Sequence, residues 1–198
     1  MTHCFSRRSF LKGSAAAAAA LTSPLLPADA AFSETENGLF SPVSALCQTQ
    51  YGPVKGREGE NGLLCWYGIP YGAAPTGESR WTAPQEPARW LTVRDCTSPA
   101  PAAYQYTTFP LGTEDCLTLD IYSSAEAKKR PVLVYLHGSA ATGSSLELPG
   151  SELVRDAGCV FVALNYRLGL FGWNCLPALT SDSDAAGNFA LLDIARAV

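Results

Sequence analysis

Two uninterrupted apolar segments dominate the hydrophobic pattern of the chain. Pro131 to Leu136 has six apolar or aromatic positions in a row and ends at His137-Gly138, and Cys159 to Leu164 is a second segment of the same kind. Such segments are typical of strands that are buried on both faces in the middle of a largely parallel sheet. Because a candidate helix lies between them, the pattern predicts a βαβ unit within an α/β fold.

Weaker patterns flank this unit. The sequence Glu60-Asn61-Gly62 predicts the turn of an N-terminal β-hairpin between an extended segment at residues 51–54 and a strand from Leu63 to Tyr67. Residues 117–122 alternate apolar and polar side chains, which predicts a half-buried strand. Residues 188–198 have apolar side chains at helical spacing and no stop signal, so we expect the chain to end within a helix and to be a fragment.

A long segment rich in proline and glycine separates the hairpin from the later strands. It spans residues 70–110 and contains Trp81 and Trp90 as its large apolar side chains. Loops of this length usually line a site or are disordered. Because two tryptophans can anchor the segment to a core, we predict a long ordered loop.

The first 30 residues predict an export signal rather than part of the fold. Residues 6–12 match the twin-arginine pattern, with the arginine pair at Arg7 and Arg8. A weakly apolar alanine tract follows, and Ala28-Asp29-Ala30 predicts cleavage before Ala31. The apolar tract is too short and too interrupted by proline for a membrane span, so we expect a periplasmic or secreted protein that meets the twin-arginine translocase during export.

Charge and cysteine content narrow the function classes. The chain has 14 basic and 18 acidic side chains, of which 11 basic and 17 acidic ones lie beyond the signal. The mature part therefore has a net charge of −6, which argues against nucleic acid and anionic membranes as partners. Six cysteines remain, none of them in a C-x-x-C pair, and His137 is the only histidine beyond His3, so no metal site is predicted. Cys96 and Cys116 lie in loop-like sequence and are the best disulfide candidates in an oxidising compartment.

Six short blocks, taken together and in order, resemble the type-B carboxylesterase and cholinesterase family of α/β-hydrolases. They are Gly68-Ile69-Pro70-Tyr71, Pro75-x-Gly77-x-x-Arg80-Trp81, Glu114-Asp115-Cys116-Leu117-x-Leu119, Pro131 to Gly138, Asn165-Tyr166-Arg167-Leu168-Gly169, and Gly187-Asn188-Phe189 with Leu191-Leu192-Asp193. The resemblance covers the chain from about residue 49 onwards. It implies that residues 31–198 are the N-terminal part of an α/β-hydrolase domain: a hairpin, a long loop and the start of the central sheet.

The resemblance implies a serine esterase that cleaves small-molecule carboxylic esters without a cofactor. In such enzymes a serine attacks the ester, a histidine transfers the proton, a carboxylate orients the histidine and backbone N–H groups hold the oxyanion. No G-x-S-x-G sequence occurs between Ala31 and Val198, so none of the triad can be assigned and the chain is expected to be truncated before the nucleophile. We therefore expect residues 31–198 alone to be inactive and prone to aggregate.

One catalytic element of the family does fall within the chain, the loop that binds the oxyanion. The family pattern is H-G-G-G followed by an aromatic residue, whereas this chain has His137-Gly138-Ser139-Ala140, which is altered and one residue short. The resemblance makes His137 a structural residue that opens this loop. Small residues still allow close approach of a backbone, so the N–H groups of Ser139 and Ala140 are candidate donors.

The same resemblance gives the remaining marked residues structural roles. Arg80 and Glu114 are expected to form an ion pair that pins the long loop, and Arg167 is expected to satisfy backbone carbonyls. Asp115 and Asn165 belong to the same blocks and are predicted to be structural. Cys116 matches a family cysteine whose usual partner position is Ala103 here, so Cys96 is the predicted substitute partner in a disulfide.

Two other functions fit the altered loop. A non-catalytic, cholinesterase-like scaffold for binding or adhesion would tolerate the change, because fold and function separate easily. A truncated gene product without a function of its own would tolerate it as well. A nucleophilic serine in the remainder of the protein would distinguish the esterase from both.

Overall fold

The computed structural model describes residues 45–125, 129–148, 150–178 and 187–198. The predicted signal and its cleavage site lie outside these residues. The strands are β1 (Leu46–Gln48), β2 (Pro53–Lys55), β3 (Arg57–Glu58), β4 (Leu63–Pro70), β5 (Arg94–Asp95), β6 (Gln105–Tyr106), β7 (Pro110–Leu111), β8 (Thr118–Ser124), β9 (Val132–Tyr135) and β10 (Val160–Leu164), and the α-helices are α1 (Gly150–Ala157), α2 (Gly169–Trp173) and α3 (Phe189–Ala197).

A five-stranded mixed sheet is the framework, with the strand order β3–β4–β8–β10–β9. Strands β9 and β10 are parallel, and α1 connects them, so the predicted βαβ unit is confirmed. Helix α1 packs tightly on the sheet at Gly150, where a Cβ atom would lie 2.5 Å from the Phe161 ring and 2.6 Å from the Tyr122 ring. Glycine at the start of the helix therefore lets it approach the sheet closely.

The sheet has an apolar cluster on each face. Leu119, Val162 and Leu164 belong to one cluster, which α3 covers with Ala190 and Ile194. Phe161 and Tyr122 belong to the other, together with Val154 of α1. Because alternate residues of β8 and β10 contribute to opposite clusters, both strands are buried on both faces. The predicted α/β class is confirmed as a sheet with helices on both sides.

Two strands differ in burial from what their own sequence patterns predict. The apolar run of β9 is typical of the middle of a sheet, but β9 lies at an edge, and Leu133 and Val134 are exposed because no strand pairs with its outer side within the described residues. An exposed apolar edge of this kind is the reason to expect residues 31–198 alone to aggregate. Strand β8 was expected to be half-buried, but it lies between β4 and β10. Its polar residues Thr118 and Asp120 are therefore buried as well.

The N-terminal hairpin is confirmed at its turn and wrong in one strand. Asn61 and Gly62 have φ values of 57° and 70°, the left-handed pair that a tight hairpin turn requires, and they connect β3 to β4. The segment at residues 51–54 was expected to pair with β4. Instead β2 pairs with β1 and with β5, since it forms a separate three-stranded sheet.

The long segment at residues 70–110 is an ordered loop, as predicted. Trp90 anchors it to β2, because its indole N–H donates to the Pro53 carbonyl (2.8 Å) and its backbone N–H donates to the Tyr51 carbonyl (2.8 Å). Trp81 stacks on Phe171 of α2 with ring centroids 6.4 Å apart.

No helix in the described residues combines the length and the apolarity that a membrane crossing requires.

Candidate functional site

The candidate site is the loop that leaves the carboxyl end of β9. His137 begins it and is buried, with its ring stacked on that of Tyr166 at a centroid distance of 4.1 Å and an interplanar angle of 11°. The Tyr166 hydroxyl donates a hydrogen bond to the His137 carbonyl. Tyr166 follows β10, so this pair of residues joins the loop to the carboxyl end of the neighbouring parallel strand.

The imidazole of His137 is a packing group in this structure. Neither ring nitrogen has a hydrogen-bond partner within the described residues. Burial lowers the pKa of His137, and the Glu147 carboxylate opposes that effect only partly. The ring is therefore neutral at pH 7, which agrees with the predicted structural role.

A turn centred on Ser139 shapes the loop. The Ser139 Oγ accepts hydrogen bonds from the N–H groups of Ala141 and Thr142, each at 3.1 Å, and the Ala140 carbonyl accepts one from the Gly169 N–H at 2.7 Å. The N–H groups of Gly138, Ser139 and Ala140 donate to no acceptor among the described residues. Adjacent free N–H donors at the end of a strand are suited to binding an anionic oxygen.

The far end of the loop is fixed at Gly143. Its φ of 142° is a conformation that residues with side chains rarely adopt, and a Cβ atom there would lie 2.4 Å from His137 Nδ1. The backbone of Gly143 pairs with the side-chain amide of Gln105: the Gly143 N–H donates to Oε1 (2.9 Å), and Nε2 donates to the Gly143 carbonyl (2.8 Å). No pattern in the sequence marks Gln105 as part of this loop.

Arg80 and Glu114 form the predicted ion pair. The guanidinium contacts both carboxylate oxygens, with Nε to Oε2 at 2.5 Å and Nη2 to Oε1 at 2.9 Å. The Arg80 guanidinium also lies over the rings of Trp81 and Phe171. The pair is partly exposed, and it fastens the long loop to the segment that precedes β8.

Arg167 has the predicted role and a second one. One guanidinium nitrogen, Nη1, donates to the carbonyls of Arg80 (3.0 Å) and Thr82 (2.9 Å), as expected. Nε and Nη2 bind the two oxygens of Asp193 on α3, at 2.8 and 2.6 Å. Both side chains are almost fully buried. No pattern in the sequence indicates Asp193 as the partner, since 26 residues separate the two positions.

A buried polar network lies behind the loop and includes Asn165. The Asn165 carbonyl accepts from the Tyr71 hydroxyl, and its side-chain amide pairs with Ser145 through Oδ1 to the backbone N–H and Nδ2 to Oγ. Ser145 Oγ donates to Asp120 at 2.6 Å, and the other Asp120 oxygen accepts from the Gly68 N–H. Burial raises the pKa of Asp120. Asp120, a polar residue within the alternating pattern of β8, is the sequence feature that could have indicated this network.

The predicted disulfide is not formed in the structure. Cys96 and Cys116 are both free, buried thiols. The backbone of Cys96 is held between Lys55 and Tyr67, whereas Cys116 lies beside the charged pair of Arg167 and Asp193. Desolvation raises the pKa of Cys96 to about 11 and that of Cys116 to about 12, so each thiol is protonated at neutral pH.

Asp115 is the one predicted structural residue without a clear structural contact of its side chain. It is exposed, and its backbone N–H donates to the Thr113 hydroxyl at 3.3 Å. The neighbouring Glu114 forms the ion pair instead. Nothing in the described residues assigns the Asp115 carboxylate a role.

The comparisons with known proteins decide the family. The model of the "Carboxylesterase family" matches residues 43–198, which is most of the chain. The chain belongs to the carboxylesterase family. A twin-arginine signal model matches residues 4–24, so the protein is exported by that route to the periplasm or the medium, as predicted.

Relatives and solved structures agree with this membership. The chain is 39% identical to the para-nitrobenzyl esterase of Bacillus subtilis over 76% of its own length and 32% of that protein. It is 36% identical to the fumonisin B1 esterase of Sphingopyxis macrogoltabida over 75% and 29%. The crystal structure of a Geobacillus stearothermophilus carboxylesterase matches 77% of the chain and 33% of that protein at 37% identity and a TM-score of 0.71. The chain thus spans about a third of the carboxylesterases that it matches.

Proposed function

We propose that the whole protein is an exported serine carboxylesterase and that residues 137–143 are its oxyanion loop. Its substrates are esters of small, fairly apolar acids or alcohols. The observation that carries the proposal is the pair of unpaired N–H groups at Ser139 and Ala140, held at the end of β9 by hydrogen bonds on both sides. Membership of the carboxylesterase family supports it.

The chemistry assigned to this loop is stabilisation of negative charge. When a serine attacks an ester carbonyl, the carbonyl oxygen becomes an oxyanion that needs donors already in place. The loop supplies two backbone N–H groups for it. The altered sequence His137-Gly138-Ser139-Ala140 retains these donors because they belong to the backbone, and the Ser139 side chain organises the turn that presents them.

The nucleophile, the acid and the base would come from parts of the whole protein outside these 198 residues. No G-x-S-x-G sequence lies between Ala31 and Val198, and the imidazole nitrogens of His137 have no hydrogen-bond partner among the described residues to which they could transfer a proton. Residues 31–198 therefore supply donors without a group to attack the ester. We expect this segment alone to hydrolyse nothing.

The test of the function compares the whole mature protein with residues 31–198. We expect the whole protein to hydrolyse p-nitrophenyl butyrate and to take up one equivalent of a fluorophosphonate on a serine, detected by intact mass. Residues 31–198 should do neither. A whole protein that is folded, unlabelled and inactive would leave the non-catalytic scaffold as the better assignment.

A matched pair of variants at one position tests the loop itself. Ser139→Pro removes both the side-chain hydroxyl and the backbone N–H, whereas Ser139→Ala removes only the hydroxyl. Losing one oxyanion donor typically lowers kcat by about 10²- to 10³-fold, so Ser139→Pro should fall below Ser139→Ala by that factor. Equal kcat values for the two folded variants would exclude the Ser139 N–H as a donor.

A further inference from the structure

The oxyanion loop is braced from a third side, by a residue that the family resemblance did not mark. Tyr166 holds it at the His137 carbonyl, and Gly169 holds it at the Ala140 carbonyl. The third brace is the Gln105 side chain, which pairs with both backbone polar groups of Gly143. Each of the other two braces reaches one carbonyl, whereas Gln105 fixes a whole peptide backbone position.

Gln105 is itself held rigidly. The residue is only 7% exposed, and Nε2 also donates to the Ala103 carbonyl at 3.1 Å. Ala103 is fully buried and forms a bridge with Thr113, and the backbone on either side of it bonds to Thr113 as well. The side-chain amide of Gln105 is therefore held in place by buried structure, unlike that of an exposed glutamine.

Gly143 is the position where such a brace has the largest effect. Its φ of 142° is accessible to glycine, and glycine in an unconstrained loop samples many other conformations. The two hydrogen bonds from Gln105 select this one, which lets the backbone pass against the His137 ring and the Glu147 carboxylate. The loop then closes around His137, and the N–H groups of residues 138–140 take no part in its hydrogen bonds among the described residues.

We propose that Gln105 is a positioning residue, which holds the 137–143 loop in the shape that leaves the Ser139 and Ala140 N–H groups free to bind an oxyanion. Its effect on catalysis rests on the proposed function, whereas its effect on the loop does not. Gln105 touches neither the substrate nor the reacting atoms. It acts through Gly143.

The first test measures backbone amide exchange and does not depend on activity. In the whole protein, Gln105→Ala should speed exchange of the Gly143 amide by at least tenfold and also loosen the Ala141 and Thr142 amides. Gln48→Ala is the matched control, since Gln48 is exposed and, among the described residues, its side chain bonds to nothing but the adjacent Thr49 carbonyl. Unchanged exchange at residues 141–143 in folded Gln105→Ala would overturn the proposal, whether or not the protein is an esterase.

The second test measures ester hydrolysis and separates positioning from general destabilisation. We expect Gln105→Ala to lower kcat by about 10- to 100-fold with little change in KM, since misplacing catalytic groups by about 1 Å has effects of this size. Gln105→Glu should share the defect at pH 8, because a carboxylate accepts from the Gly143 N–H but repels its carbonyl. As the pH falls the acid gains a proton and can donate again, so kcat relative to the unsubstituted protein should rise.

The outcomes of the two tests are distinct. A whole protein without esterase activity would refute the proposed function, and amide exchange would still decide the role of Gln105. An active protein in which Gln105→Ala matches Gln48→Ala in kcat would refute positioning and leave the esterase assignment intact. A Gln105→Glu variant whose relative kcat is flat across the pH range would also count against positioning.

Discussion

At the scale of single residues, the described part of this member of the carboxylesterase family depends on a few buried polar groups. Asp120 lies in the centre of the sheet, only 1% exposed, and each of its oxygens accepts one hydrogen bond, from Gly68 and from Ser145. No lysine or arginine side chain of the described residues pairs with it. Its charge is therefore stabilised only by two neutral donors, which is why burial raises its pKa.

Asp120→Asn should change how the stability of the whole protein depends on pH. The raised pKa means that the folded state holds a proton more tightly than the unfolded state, so stability from this group is complete at low pH and is lost as the pH rises through the folded pKa. Each unit of the shift corresponds to about 1.4 kcal/mol. Urea unfolding at pH 4, 6 and 8 should show the variant gaining relative stability as the pH rises.

The exposed Asp115 provides the control for this experiment. Asp115→Asn removes a carboxylate from an exposed position and so measures the general effect of losing one negative charge. In Asp120→Asn, the Ser145 hydroxyl must rotate to pair with the new amide, but the free-energy cost of this rotation is the same at every pH. Parallel curves for Asp120→Asn and the unsubstituted protein would contradict a raised pKa at Asp120.

At the scale of elements, one buried ion pair connects parts that are distant in the sequence. Arg167 follows β10, Asp193 lies on α3, and the carbonyls of Arg80 and Thr82 belong to the long loop. Helix α2 packs beside this junction at Gly172, where a Cβ atom would lie 2.2 Å from the Arg167 carbonyl oxygen. The ion pair and the close helix contact together fix α2 and α3 against the same end of the sheet.

Asp193→Asn should be strongly destabilising. It leaves the Arg167 guanidinium buried without a counter-charge, and breaking a buried pair on one side typically costs about 3–5 kcal/mol. Asp156→Asn is the matched control, because Asp156 pairs with Arg155 on the exposed face of α1. Urea unfolding of the whole protein measures both variants. A loss for Asp193→Asn no larger than that for Asp156→Asn would disprove the importance of the pair.

Elements that depend on local pattern were predictable, and those that depend on distant partners were not. The periodicity of residues 188–198 predicted α3, and the two apolar segments predicted β9 and β10, because side-chain period follows directly from element type. The burial of β8 and the edge position of β9 depend on which strands pair with them. Residues 51–54 could pair with either β4 or β1, and the turn at Asn61-Gly62 does not determine which of the two they pair with.

The candidate site shows the same division. The resemblance points to His137 and to Ser139 and Ala140 as candidate donors, because they follow a recognisable strand. The Arg80 and Glu114 pair was also predicted correctly. The contact of Gln105 with Gly143 and the pairing of Asp193 with Arg167 were not predicted, since these partners lie 38 and 26 residues apart in the sequence. Gln105 belongs to no marked pattern, and the block that contains Asp193 does not indicate its partner.

At the scale of the whole molecule, the two edges of the sheet differ in their exposure. One edge is β3, which has two residues, the charged and exposed Arg57 and Glu58. The other edge is β9, where Leu133 and Val134 are 47% and 36% exposed. An apolar strand with a free edge is a template for pairing with other chains, whereas short charged edges resist it.

Residues 31–198 produced alone should therefore self-associate through β9. Leu133→Lys should reduce the association, because a charge on an exposed edge opposes strand pairing. Leu91→Lys is the matched control, since Leu91 is 97% exposed but lies in the long loop. Light scattering and sedimentation measure the result. A monomeric segment with a cooperative, reversible melt would contradict this prediction, and equal effects of the two lysines would exclude β9 as the contact.

The free thiols have a consequence for when the protein folds. All six cysteines beyond the signal lie within the described residues, and none forms a disulfide. The described fold thus needs no oxidising environment, so its sheet and both of its apolar clusters can assemble in the reducing cytoplasm. Twin-arginine export transfers proteins that have already folded. The described strands and helices can therefore form before translocation, and no disulfide among the described residues has to form after it.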